Sequence, residues 1–132
     1  MQNRPTAAEL LDTVRELLTT DILPTIQDDG LRFKVLIAAN VLSIVGRELT
    51  AGEPLLREEF ERLTRLLPDA AALIDVTVPI ADQIAALNGQ LVTLIREMPA
   101  DATAIAPGGA IWAHARQTLR DQLTIANPKF AL

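Results

Sequence analysis

The stretch Leu31-Arg32-Phe33-Lys34-Val35-Leu36-Ile37-Ala38-Ala39-Asn40-Val41-Leu42-Ser43-Ile44-Val45-Gly46-Arg47-Glu48 decides the fold. From Val35 to Val45 it is apolar on nearly every side, the pattern of a helix buried by its neighbours. Its β-branched residues also admit a strand, but eighteen residues without a turn signal exceed ordinary strand length. The reading is a long helix at the centre of an all-α bundle.

On the N-terminal side, Gln27-Asp28-Asp29-Gly30 has the composition of a loop, and Pro24 interrupts or ends whatever precedes it. Thr6-Ala7-Ala8-Glu9 is a capping box that opens a first helix. Leu10, Val14, Leu17 and Leu18 form its apolar stripe. On the C-terminal side, Thr50-Ala51-Gly52-Glu53-Pro54 predicts a turn, with Pro54 opening a third helix over Leu55 to Leu67. A short helical piece over Ala70 to Val76 follows, with Asp69 as its cap. After Pro79, Ile80, Ile84, Leu87, Leu91, Leu94 and Met98 alternate spacings of four and three, a narrow bundle seam. Met98 to Gly109, rich in Ala, Pro and Gly, is the best candidate for a mobile loop. A last helix covers Ala110 to Ala126, its inner face made of Trp112, Ala115, Leu119, Leu123 and Ala126, and Asn127-Pro128 stops it. The expectation is one domain over residues 1–132, a single bundle of about five main helices around a central apolar helix.

Composition agrees with that class. Of 132 residues, 49% are hydrophobic and 22% charged, enough to bury a core. Leu and Ala make up nearly a third of the chain, and the aromatics are only Phe33, Phe60, Phe130 and Trp112. The net charge of −5 argues against a nucleic-acid partner, which would call for clustered Lys and Arg. No cysteine is present and His114 is the only histidine, so disulfides, thiolate nucleophiles, Cys-based metal sites and paired-His zinc sites are excluded by counting. The longest uncharged apolar run, Val35 to Gly46, has twelve residues against the roughly 20 that span a bilayer. The N-terminus lacks the apolar stretch of a signal peptide. These features predict a cytoplasmic protein without a membrane, metal or cofactor requirement.

Arg4-Pro5-Thr6-Ala7-Ala8-Glu9-Leu10-Leu11, the central Ala38-Ala39-Asn40 with Ile44-Val45 and Arg47-Glu48-Leu49, and the terminal Ala126-Asn127-Pro128-Lys129-Phe130 resemble a bacterial family of small helical proteins of unknown function. Its genes commonly lie beside an acyl-CoA dehydrogenase and an aminoglycoside-phosphotransferase-like kinase. The family often places a basic residue four positions before the Asn, where this chain has Leu36. The resemblance implies an association with such neighbours and carries no activity. The His-x-Asp and Asp-Phe-Gly motifs of the kinase itself are missing from this sequence, so a phosphotransferase reading is rejected.

Four residues stand out as candidate polar anchors or partner contacts: Asn40, Arg47, Phe33 and Trp112. Phe33, Asn40 and Arg47 are seven apart and share one line of the central helix. An amide in the middle of that helix is expected to be buried and therefore hydrogen-bonded, either to a neighbouring segment or to a ligand. Arg47 reads as a cation complementing the end of its own helix, and Trp112 as a core anchor or an interface residue. His114, Gln117 and Asp121 share a side of the last helix. A His-Asp relay there is set aside, since residues two turns apart cannot touch along one helix without another side chain between, and a polar helix side facing solvent is the expectation. Asp28-Asp29-Gly30 is a fragment of a calcium-loop pattern without its other ligands. No residue is assigned to catalysis. The expected function is a non-catalytic accessory or interaction module with a protein partner or a second copy. The alternative is a bundle that binds a small apolar or acyl ligand. An exposed apolar patch would favour the first, and a closed apolar cavity beside Asn40 the second.

Overall fold

A computed structural model describes residues 3–130. It is all-α, with no strand among the described residues. The α-helices are α1 (Ala7–Glu16), α2 (Asp29–Leu66), α3 (Pro68–Ala71), α4 (Ile80–Glu97) and α5 (Ala110–Ala126). Two compact units are formed. Among the described residues, the first is 3–53 together with Ile125–Asn127, and the second is Pro54–Thr124 together with 128–130.

In the first unit, the capping box is formed as expected. Glu9 N–H donates to the Thr6 hydroxyl and Thr6 N–H to the Glu9 carboxylate, both at 3.2 Å. After Glu16 the helix widens into a π-helical turn over Leu17–Ile22 and then tightens to a 3-10 turn over Leu23–Thr25. Pro24 explains the change of winding, because it has no N–H for the Thr20 carbonyl and its ring crowds that position. Arg32 Nη1 donates to the carbonyls of Leu23 and Ile26, at 2.8 and 3.1 Å, and so holds the end of this segment against α2. Asp28 caps α2 by accepting from Leu31 N–H at 2.9 Å, which gives the acidic loop a structural role.

α2 corrects two expectations. It has 38 residues and runs through Pro54, so the turn over Thr50–Pro54 and the separate third helix are one continuous helix. Proline has a helical φ and forfeits one ladder bond, and a helix with apolar contacts on both sides of the break can tolerate that loss. The second correction concerns burial. Val35, Ala39, Leu42 and Gly46 form the covered side, and only Ala39 among them is fully buried. Leu36, Ile37, Val41 and Val45 are exposed, and Phe33 is 64% exposed. The most apolar helix of the chain is therefore not the buried centre of a bundle. The unbroken apolar sequence covers both an inward and an outward side, and among the described residues only the inward one is covered.

The core lies in the second unit. Leu63 in α2's last turn and Leu67 just after the helix pack with Ile84, Leu87 and Leu91 of α4 and Ile111 of α5, and Leu63 and Leu87 are fully enclosed. The seam read from Ile80 to Met98 is the one observed, with Ile80, Leu94 and Met98 packed at its edges. α3 begins at Pro68 after Leu67, and Asp69 supplies no cap hydrogen bond. The Asp75 carboxylate accepts from the Thr77 N–H and hydroxyl, at 2.9 and 2.6 Å. Those two bonds hold its carboxyl below the usual range. The buried Gln83 side chain donates to the Val78 carbonyl at 2.8 Å, tying the loop to α4.

The expected mobile loop is held by its backbone. The N–H groups of Ile111 and Trp112 both donate to the Ala104 carbonyl, and Ala104 and Ile105 pack on the core. Gly109 makes this close approach possible, since a Cβ there would run into the Thr103 and Ala104 carbonyls. Gly108 supplies the turn with φ of +86°.

Candidate functional site

The outward side of the first unit is the most unusual surface of the protein. Phe33, Ile37, Val41 and Val45 stand on one side of α2, and Leu10, Val14 and Leu17 are exposed on α1 and the turn that follows. Exposed apolar residues are ordinary when scattered, but a contiguous row along a helix marks a surface made for contact. Asn40 lies on this exposed side. It is not the buried, hydrogen-bonded amide expected from its neighbours, because the side of α2 it occupies is left exposed among the described residues. The line through Phe33, Asn40 and Arg47 holds for the first two and changes at the third. Arg47 is half-buried, and its Nε donates to the Ile125 carbonyl at 2.6 Å. α2 continues well past Arg47, so Arg47 does not complement the end of its own helix. It caps the last turn of α5, where carbonyls are left without amide partners. A cleft of about 270 Å³ beside it is lined by Asp12, Arg15, Ser43 and Thr50. The Asp12–Arg15 pair, at 2.8 Å, closes part of that cleft's wall.

The second unit contains a buried polar cluster that sequence reasoning placed in solvent. Arg62 Nη2 donates to Asp121 Oδ2 at 3.1 Å and to the Thr118 hydroxyl at 3.2 Å, and Gln117 Nε2 donates to Asp121 Oδ1 at 2.8 Å. His114 is 6% exposed. Its Nδ1 and the Nε of Arg62 are buried without hydrogen-bond partners among the described residues. Burial lowers the imidazole pKa, the nearby Arg62 guanidinium lowers it further, and Glu59 opposes them. The inner side of α5 is thus Ile111 and His114 with the half-buried Thr118 and Asp121, while Ala115, Leu119 and Ala126 are exposed. The helix is rotated from the expected face because Arg62 supplies the charge that lets Asp121 turn inward. That complementarity between Arg62 and Asp121 was the available signal. Reading each helix alone hid it. Trp112 is half-buried, and the Arg116 guanidinium lies over its ring, 5.2 Å from the centroid.

A family model for a domain of unknown function, DUF6285, matches residues 24–130, most of the chain. The chain belongs to the DUF6285 family. The matched region begins at Pro24, so it takes in all of α2 with its exposed row, the buried cluster and α5, and leaves α1 outside. Comparison with curated proteins and with solved structures finds no match.

Proposed function

We propose that this DUF6285 chain is a non-catalytic protein-interaction module whose binding surface is the outward side of α2 in the first unit. The observation that carries this reading is the exposed apolar row of Phe33, Ile37, Val41 and Val45 on an otherwise ordinary helical fold. The resemblance read from the sequence directs the partner search to a kinase-like protein and an acyl-CoA dehydrogenase encoded beside it. The chain's own chemistry supports an accessory role. Its only histidine is enclosed and biased towards the neutral form beside Arg62, and Arg62 and Asp121 are engaged with each other.

The surface suits a protein better than a bilayer. One 18-residue window of α2 reaches a mean hydropathy of 1.4. Its uncharged run, however, is the twelve residues between Lys34 and Arg47, about 18 Å of helix against about 30 Å of hydrocarbon. A cytoplasmic location fits that reading. The alternative is an acyl-binding bundle, for which the second unit offers a place. This is an open groove of about 460 Å³ in the second unit, walled by Leu66, Leu67, Ala70, Leu73 and Leu94. Asn40 is not part of it.

Size-exclusion chromatography of the purified chain, alone to detect association with a second copy and mixed with the purified products of its flanking genes, tests the proposal. A complex is expected with the wild type and is expected to disappear with Phe33→Ser/Ile37→Ser. Complex formation indifferent to both substitutions would remove α2's outward side from the function. Saturable binding of a fatty acyl-CoA that Leu94→Arg abolishes would favour the groove instead.

A further inference from the structure

The exposed row on α2 is self-complementary. Lys34, Ile37, Val41, Val45 and Glu48 follow one another at intervals of 3, 4, 4 and 3 residues. They therefore line one side of the helix, and the order of spacings is the same from either end. A cation stands at one end of the row and an anion at the other. Both are exposed, and neither forms an ion pair among the described residues. Between them Ile37 is 48%, Val41 50% and Val45 42% exposed.

We propose that α2 pairs antiparallel with α2 of a second copy of this chain, about a two-fold axis at Val41. This rests on reading the outward side of α2 as a protein-binding surface. The two-fold brings Val41 against Val41 of the second copy and lets Ile37 interleave with Val45. It places Lys34 beside Glu48 of the second copy, and the same pair recurs at the other end. A parallel pairing would set Lys34 against Lys34 and Glu48 against Glu48, so the charges select the antiparallel arrangement. A heterologous partner would not need a row that reads alike in both directions.

Closed two-fold dimers are the commonest association of soluble chains, and a row that pairs with itself satisfies that symmetry.

Sedimentation velocity of the full chain, run from about 1 to about 100 µM, tests the pairing. The expected result is a dimer. Val41→Asp is expected to convert it to a monomer with unchanged helical circular dichroism, since Val41 makes no core contact within the chain. Lys34→Glu and Glu48→Lys are each expected to raise the dimer dissociation constant about tenfold, because each creates like-charge contacts at both ends. Lys34→Glu/Glu48→Lys combined is expected to return it to within about threefold of the wild type, because the swap restores both pairs. A monomeric wild type, a dimer untouched by Val41→Asp, or a double swap weaker than either single one would overturn the pairing. So would a monomer that floats with vesicles of phosphatidylcholine and phosphatidylglycerol. A monomer that still binds a flanking-gene product in a Val41-dependent way would overturn the pairing and leave the interaction module standing. Binding of neither would remove both.

Discussion

Asn40 shows how far a residue's neighbours in sequence can mislead about its neighbours in space. Ala38, Ala39, Val41 and Leu42 surround it along the chain, yet a helix turns about 100° per residue, and Ala39 alone of these is fully buried. Because Asn40 is exposed and its side chain has no hydrogen-bond partner among the described residues, Asn40→Ala and Asn40→Leu should each change monomer stability by less than about 0.5 kcal/mol. Urea melts of a monomeric background such as Val41→Asp measure this without the interface. A loss above about 1 kcal/mol would mean the amide is anchored after all. Gly109 is the opposite case, a residue with no side chain to read and a strict requirement. A Cβ there meets the Thr103 and Ala104 carbonyls, which are backbone and cannot swing aside. Gly109→Ala should destabilise by about 2–3 kcal/mol, read as a fall in melting temperature. Gly89, in mid-α4 with open space around its Cα, is the control. Gly89→Ala should be stabilising by up to about 1 kcal/mol.

At the scale of elements, local chemistry was legible wherever it was decided locally. The capping box at Thr6, the seam from Ile80 to Met98 and the span of α5 are all observed. Thr6→Ala should cost about 1 kcal/mol, because the Glu9 N–H in the first turn of α1 loses the hydroxyl it donates to. A melt identical to the wild type would show that α1's first turn does not contribute to stability. The turn expected at Thr50–Pro54 was illegible because a proline signals a break without saying whether tertiary contacts override it. Here helix continues on both sides. Pro54→Ala would restore a donor for the Thr50 carbonyl, so it should stabilise by about 1–3 kcal/mol. A destabilised variant would instead show that the fold uses the break in the ladder at Pro54. The face of α5 was illegible for another reason. Its inward polar residues make sense only beside Arg62, 59 positions earlier than Asp121.

For the whole molecule, fold class and the main core seam were readable from periodicity, and the sites were not. Burial of α2's apolar stretch depends on how many elements the chain has left to cover it, and no pattern within the stretch reports that. Acid stability is a property of the molecule that follows from the second unit's cluster. His114 is enclosed with Arg62 and Glu59 nearby, and its pKa is held below the ordinary 6.5. The unfolded chain therefore takes up a proton that the folded chain refuses. The neutral imidazole's contribution is complete above about pH 6.5, diminishes as pH falls below it, and stops changing once the folded histidine also protonates. Urea midpoints should fall between about pH 7.5 and pH 5.5 in the wild type and fall less in His114→Gln. Equal slopes in the two proteins would assign the acid sensitivity to other groups.

The bond from Arg47 to the Ile125 carbonyl joins residues 78 apart in sequence. Ile125–Asn127 belongs with the N-terminal unit although the whole of Pro54–Thr124 lies between them along the chain. On the ribosome, the segment that completes the N-terminal unit is therefore made only after Pro54–Thr124, and the Arg47 bond forms only once the end of α5 has left the exit tunnel.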